Sequence, residues 1–206
     1  MNEFINALER YLPADKLSII QTKKIGIAGA GGLGSNCAQM LVRSGFMSFL
    51  VADFDVIEYS NLNRQFYFAD QVGKYKVEVL RENLRRVNKD LMIETITDKI
   101  DESNVEKIFA DCDIIVEAFD KAVYKKLIVE TYLKTDKFLV SASGLAGWGD
   151  SERIRTHRIK ENFYLVGDLK TEVGPECPPL APCVHIAAAK QADVILRYVL
   201  GPMKGE

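Results

Sequence analysis

The chain predicts an α/β fold: a doubly wound, mainly parallel sheet with a short antiparallel edge and a closing C-terminal helix. Three observations carry this. Short β-branched runs alternate with amphipathic segments along most of the 206 residues, the pattern of strands joined by crossover helices. A glycine-rich turn, GAGGLG at 29–34, follows the first such run and opens a helix, which is Rossmann-like. Acids stand where strands should end, Asp53 after the second and Asp120 after the fourth.

Taken in order, residues 2–21 read as helical, interrupted near Pro13. Residues 24–28 form a short buried strand. The helix at 33–44 places Leu33, Cys37 and Leu41 on one face. A second strand ends at 49–52, and 55–72 is an irregular crossover. The next helix begins near Lys74, with Val77, Leu80, Leu84 and Val87 spaced as a buried stripe. Residues 91–97 alternate as a strand. A short helix at 101–110 is expected to be capped by Asp101. The fourth strand (113–118), a helix (121–134) and the fifth strand (138–142) follow. Segments 152–159 and 162–167 pair antiparallel at the sheet edge. Residues 168–183 lack periodicity and hold Pro175, Pro178, Pro179 and Pro182, so a mobile or functional crossover loop is expected there. The last helix spans 184–200, with Ala188, Ala192, Ile195 and Val199 on one face and Gly201-Pro202 as its stop.

This length and a 48% hydrophobic composition fit one domain, 1–206, with a helical segment at 1–22. A net charge of −2 gives no sign of a nucleic-acid or anionic-membrane binder. No apolar run approaches the roughly 20 residues of a membrane span, and the first residues carry no signal-like apolar core. A cytoplasmic protein is the expectation. Cys37 and Cys112 read as core residues. With Cys177 and Cys183 they offer no CxxC spacing, so no structural zinc is expected. His157 and His185 sit in no triad-like or metal-ligand spacing.

The glycine loop is the first candidate site. Gly29, Gly31, Gly32 and Gly34 let backbone amides at a helix N-terminus approach phosphate closely. Asp53 lies 24 residues beyond Gly29, where a carboxylate can accept from both ribose hydroxyls; Asp55 stands close behind. These features suit ATP and NAD equally. Asn61, Arg64 and Lys76 favour ATP: an Asn can donate to phosphate, and two cations can neutralise charge as pyrophosphate leaves. Asp120 can hold Mg²⁺ on a triphosphate or cap the following helix.

GAGGLGS (29–35), DFD (53–55), SNLNRQ (60–65), GKYKVE (73–78) and the strand-end Asp120 together resemble the ThiF/MoeB/ubiquitin-activating family of adenylyltransferases. The resemblance covers nearly the whole chain, and is greatest to the compact ThiF branch, which adenylates the sulfur carrier ThiS for thiazole synthesis. It implies that a carrier's C-terminal Gly-Gly carboxylate attacks the α-phosphate of Mg·ATP. Carried over by position, Asp53 binds ribose, Asn61, Arg64 and Lys76 contact phosphates, Asp120 positions Mg²⁺, and Arg64, Lys76 and Asp120 are the catalytic set. It further implies a homodimer, a ThiS-like partner and a separate sulfur donor. Three departures stand out. Zinc-binding CxxC pairs are missing, only Arg10-Tyr11 matches the N-terminal arginine motif, and the region of a conjugating cysteine holds Cys177 and Cys183. Rival readings are activation of another carboxylate (a molybdopterin carrier or a modified tRNA base), an NAD(P)-linked oxidoreductase, and a non-catalytic nucleotide sensor.

Overall fold

A computed structural model describes residues 2–203. The chain enters through two short helices, α1 (Glu3–Leu8) and α2 (Ala14–Gln21). Pro13 stands at the N-terminal boundary of α2, where its missing N–H costs no helical bond. The parallel strands are β1 (Lys24–Ala28), β2 (Ser48–Ala52), β3 (Met92–Ile96), β4 (Ile114–Glu117) and β5 (Phe138–Ala142). Connecting them are α3 (Gly32–Arg43), α4 (Lys76–Arg85), the single turn α5 (Val105–Ile108) and α6 (Ala122–Tyr132). An edge hairpin, β6 (Arg155–Lys160) and β7 (Phe163–Gly167), precedes the closing helix α7 (Ala181–Leu200).

The sheet order is β3-β2-β1-β4-β5-β7-β6. β7 pairs parallel to β5, and β6 runs antiparallel on its outside. The chain winds outward one way from β1 and the other way from β4, so these neighbours form the switch point. Alternate residues of each strand serve opposite faces. Ile25, Ile27, Phe49, Val51, Ile114 and Val116 pack under α3, α4 and α7. Leu50, Ala52, Ile115 and Leu139 pack against Phe109, Ile128 and Tyr132 on the other face. Two buried faces explain why these strands read as continuous apolar runs.

Four expectations need correction. The fourth helix starts at Lys76 rather than near Lys74, and Val87 lies past its end. The helix expected over 101–110 shrinks to Val105–Ile108 with Asn104 at its N-cap. Asp101 instead accepts from Ser103 N–H at 2.8 Å and Ser103 Oγ at 2.6 Å, which commits it to a turn ahead of the helix. The last helix begins at Ala181, because Pro182 fits its first turn. That shortens the irregular stretch and moves Cys183 from the loop into a buried position, 2% exposed. No helix among the described residues is long and apolar enough to cross a membrane.

Candidate active site

The carboxyl ends of β1, β2, β4 and β5 open into a cleft of about 670 Å³, within the usual span of small-molecule sites. Its floor is the glycine turn. Gly29 has φ +102°, and a Cβ there would meet Ala118 carbonyl atoms at 2.9 Å, so the β1 and β4 exits touch backbone to backbone. A Cβ on Gly34 would lie 1.8 Å from the Gly29 oxygen, so the first turn of α3 presses directly on the loop. Gly31, at the N-cap of α3, and Gly32 line the cleft. The free amides and partial positive charge of a 12-residue helix therefore face this space.

Asp53 is 6% exposed at the end of β2. It accepts from Ala30 N–H at 2.6 Å and Asp55 N–H at 2.8 Å. The carboxylate expected to bind ribose thus also ties the glycine loop to β2, leaving further lone pairs toward the cleft. Burial raises its pKa, while the Lys76 ammonium and the two amides pull it back. Lys76, 6% exposed, holds Asp55 at 2.8 Å. Arg64 donates to Asn63 Oδ1 at 2.7 Å and Ser60 O at 3.3 Å. Burial lowers its pKa, while the carboxylate of Asp120, which lines the same cleft, raises it. Asp120 is exposed, and no hydrogen bond or ion pair occupies its carboxylate among the described residues.

The structure brings Gly29, Gly31, Gly32, Asp53, Asp55, Arg64, Lys76 and Asp120 to one cleft. Gly34 shapes the loop from beneath. Asn61 lies outside the lining; its Oδ1 accepts from Glu58 N–H at 3.1 Å and closes the short turn Tyr59–Asn61 that precedes Arg64. His157 and His185 approach the carbonyls of Gly167 and Arg64, at 3.0 and 3.3 Å, outside the lining.

Several cleft residues escaped the sequence reading. Lys125 points from α6 to Glu117 Oε2 at 3.0 Å and Ala142 O at 2.9 Å. Glu117 is fully buried and also accepts from Phe119 N–H at 2.8 Å and Ser141 Oγ at 2.5 Å. One acid thereby fixes the ends of β4 and β5 and the turn that carries Asp120. A glutamate inside the apolar run IIVEA was the available signal, since a buried carboxylate requires a cation. Phe54, Phe119 and Tyr124 form an aromatic corner, with ring centroids 6.1 and 5.3 Å apart. Thr171, Glu172 and Val173 close the far side. Arg153 anchors that segment by binding Asp168, Thr171 and the Ala146 carbonyl.

A buried glycine loop, an acid at the β2 end, and Arg64, Lys76 and Asp120 stand around one cleft. A family model described as the ThiF family matches residues 5–206. The chain belongs to the ThiF family. Adenylyltransferase and sulfurtransferase UBA4 from Candida glabrata is 29% identical over 193 residues, covering 91% of this chain and 45% of that protein. The SAMP-activating enzyme E1 of Haloferax volcanii is 37% identical over 100 residues, covering 48% of this chain and 37% of that enzyme. The chain thus spans about half the length, or less, of these curated relatives. Among solved structures, the E. coli tRNA N6-threonylcarbamoyladenosine dehydratase TcdA in complex with ATP superposes with a TM-score of 0.85 at 20% identity, covering 95% of this chain and 93% of that one. This ThiF-family chain and that protein share a fold.

Among the described residues no group of three or more His, Cys, Asp or Glu side chains gathers as a metal site. The donor set instead fits a cation held jointly with phosphate. Asp120 offers one unpaired carboxylate, and Mg²⁺ is commonly held by one or two protein carboxylates, substrate phosphates and water.

Proposed function

We propose that this protein is an adenylyltransferase that activates the C-terminal Gly-Gly carboxylate of a small ThiS-like sulfur carrier with Mg·ATP. The observation that carries the reading is the convergence of Arg64, Lys76 and Asp120 on a glycine loop whose helix points its amides into the same cleft. A hydride-transfer site needs no such cluster beside the phosphates. Family membership supports the class: among the relatives, UBA4 is named an adenylyltransferase and sulfurtransferase, and the Haloferax volcanii protein a SAMP-activating enzyme.

In the proposed step a carboxylate oxygen attacks the α-phosphorus. The bond from that phosphorus to the β-bridging oxygen breaks, pyrophosphate leaves with the electron pair, and an acyl-adenylate remains. No protein nucleophile or proton transfer is required. The chain's work is alignment and charge neutralisation. The amides of α3 hold phosphate oxygens, Asp53 receives ribose hydroxyls, and Arg64 and Lys76 offset charge gathering on the leaving group. Asp120 would hold Mg²⁺, which when bound neutralises the triphosphate. Asn61 acts through the turn that sets Arg64.

The test is ATP–pyrophosphate exchange with and without a carrier ending in Gly-Gly, followed by mass spectrometry of the carrier. Carrier-dependent exchange and an AMP adduct support the reading. Arg64→Ala and Asp120→Ala should each lower exchange at least about tenfold while leaving Tm within about 2 °C, since neither side chain is deeply buried. Unchanged rates in both variants would remove these residues from the site. Bound ATP without carrier-dependent exchange would point to a different acceptor.

A further inference from the structure

The cleft has two linings of different build. In the proposed chemistry the glycine loop, Asp53, Arg64 and Lys76 receive the nucleotide. The other lining is Gly144, Leu145 and Ala146 beyond β5, with Thr171, Glu172 and Val173 between β7 and α7. No cation stands among these six, and Glu172 would repel a phosphate chain, so this side suits a narrow, uncharged backbone. Both segments are irregular. A few backbone bonds join them: Gly147 N–H to Pro178 O at 2.8 Å, Asp168 N–H to Gly144 O at 3.1 Å and Leu169 N–H to Ser143 O at 3.3 Å. The two run so close that a Cβ on Gly167 would collide with the Ser143 carbonyl.

Arg153 ties the same segments together through its side chain. It stands just before β6, its side chain is 19% exposed, and it lies outside the cleft lining. Its guanidinium binds the Ala146 carbonyl on one segment, and Asp168 and Thr171 Oγ1 on the other. It also reaches Cys183 Sγ, in the first turn of α7, at 3.7 Å. Asp168 in turn accepts from the N–H groups of Lys170 and Thr171 at 2.9 and 2.8 Å, so the arginine grips the backbone turn that leads into Thr171 and Val173. A planar fork of five donors can hold a carboxylate, a hydroxyl and a carbonyl at once. A lysine ammonium cannot span them in a fixed geometry. This convergence falls where the cleft lining has neither a strand ladder nor a helix of its own to keep its shape.

We propose that Arg153 is a positioning residue for the acceptor: by fixing these two segments it shapes the side of the cleft along which the acceptor's tail lies, and it leaves the nucleotide side alone. This rests on the reading of the cleft as an adenylation site. Arg153→Met and Arg153→Lys test it with three readouts. These are calorimetric titration with Mg·ATP, pyrophosphate exchange against the concentration of a ThiS-like carrier ending in Gly-Gly, and the fluorescence anisotropy of Trp148. That residue is the chain's one tryptophan and stands two positions beyond Ala146. In the Met variant Mg·ATP affinity should stay within about twofold of wild type, because Arg153 binds none of the nucleotide-side groups. The carrier concentration for half-maximal exchange should rise roughly tenfold or more, the cost of ordering loosened loops on binding, and Trp148 anisotropy should fall. The Lys variant keeps the charge but not the span, and should lie between wild type and Met. Unchanged carrier half-saturation in the Met variant overturns the assignment, as does an equal loss of Mg·ATP affinity, which a merely structural role would produce. A wild-type protein that binds Mg·ATP without carrier-dependent exchange overturns the acceptor reading instead. Trp148 then decides for Arg153: lowered anisotropy in the Met variant supports its hold on the cleft, and unchanged anisotropy overturns it whatever the acceptor.

Discussion

Removing the Lys125 ammonium isolates a buried charge, and the structure sets the size of the effect. In Lys125→Met, Glu117 remains fully buried and keeps Phe119 N–H and Ser141 Oγ, but loses the cation that pairs with it among the described residues, and the Ala142 carbonyl loses a donor. Breaking a buried pair by removing one partner costs about 3–5 kcal/mol. Two features hold this case at the lower end. The lysine side chain is 24% exposed, so water can approach the vacated position, and two donors remain on the carboxylate. The expected loss is therefore about 3 kcal/mol, or roughly 6–12 °C in Tm for a chain of this size. Melting curves check it, and Glu117→Gln/Lys125→Met should recover much of the loss, because no unpaired charge then stays buried. A loss under about 0.5 kcal/mol, or a double variant no more stable than Lys125→Met, would refute the view that this pair anchors the Asp120 turn.

Other consequences follow from the same geometry. Gly34→Ala sets a Cβ 1.8 Å from the Gly29 carbonyl, a backbone atom that cannot step aside; nucleotide binding by titration should be lost and Tm lowered. Gly174→Ala, with open space around its Cβ, should leave both unchanged and serves as the control. Asp168 is held by Thr171 and Lys170 N–H groups, Thr171 Oγ1 and Arg153. Burial raises its pKa, but these partners outweigh burial and leave it well below the ordinary carboxylate value. Its contribution is complete above about pH 4 and declines as pH falls toward the depressed folded value. The Tm gap between wild type and Asp168→Asn should therefore be constant from pH 8 to 5 and narrow below about pH 4. A gap that persists unchanged to pH 3 would show that the charge contributes nothing.

What could be read from the sequence divides along a physical line. Strands buried on both faces announce themselves as apolar runs, so β1, β4 and β5 were legible to within a residue or two, and the antiparallel edge pair expected at 152–159 and 162–167 stands at Arg155–Lys160 and Phe163–Gly167. Residues whose role depends on a short backbone interval were legible too. Gly29 and Asp53 are close in space because parallel neighbours β1 and β2 end together. Harder were the places where a side chain chooses between local and distant partners. Asp101 looks like a helix cap and Asn61 like a phosphate ligand, yet each closes a turn with a residue two or three positions away, a competition that composition does not resolve. Hardest was Lys125. It is one of several lysines on a helix that reads as ordinary amphipathic surface, and only the crossing of β4 over α6 makes it the partner of Glu117. Local patterns identify the backbone-defined positions of the cleft. The groups that hold those positions emerge only when the buried polar atoms are matched to partners one by one.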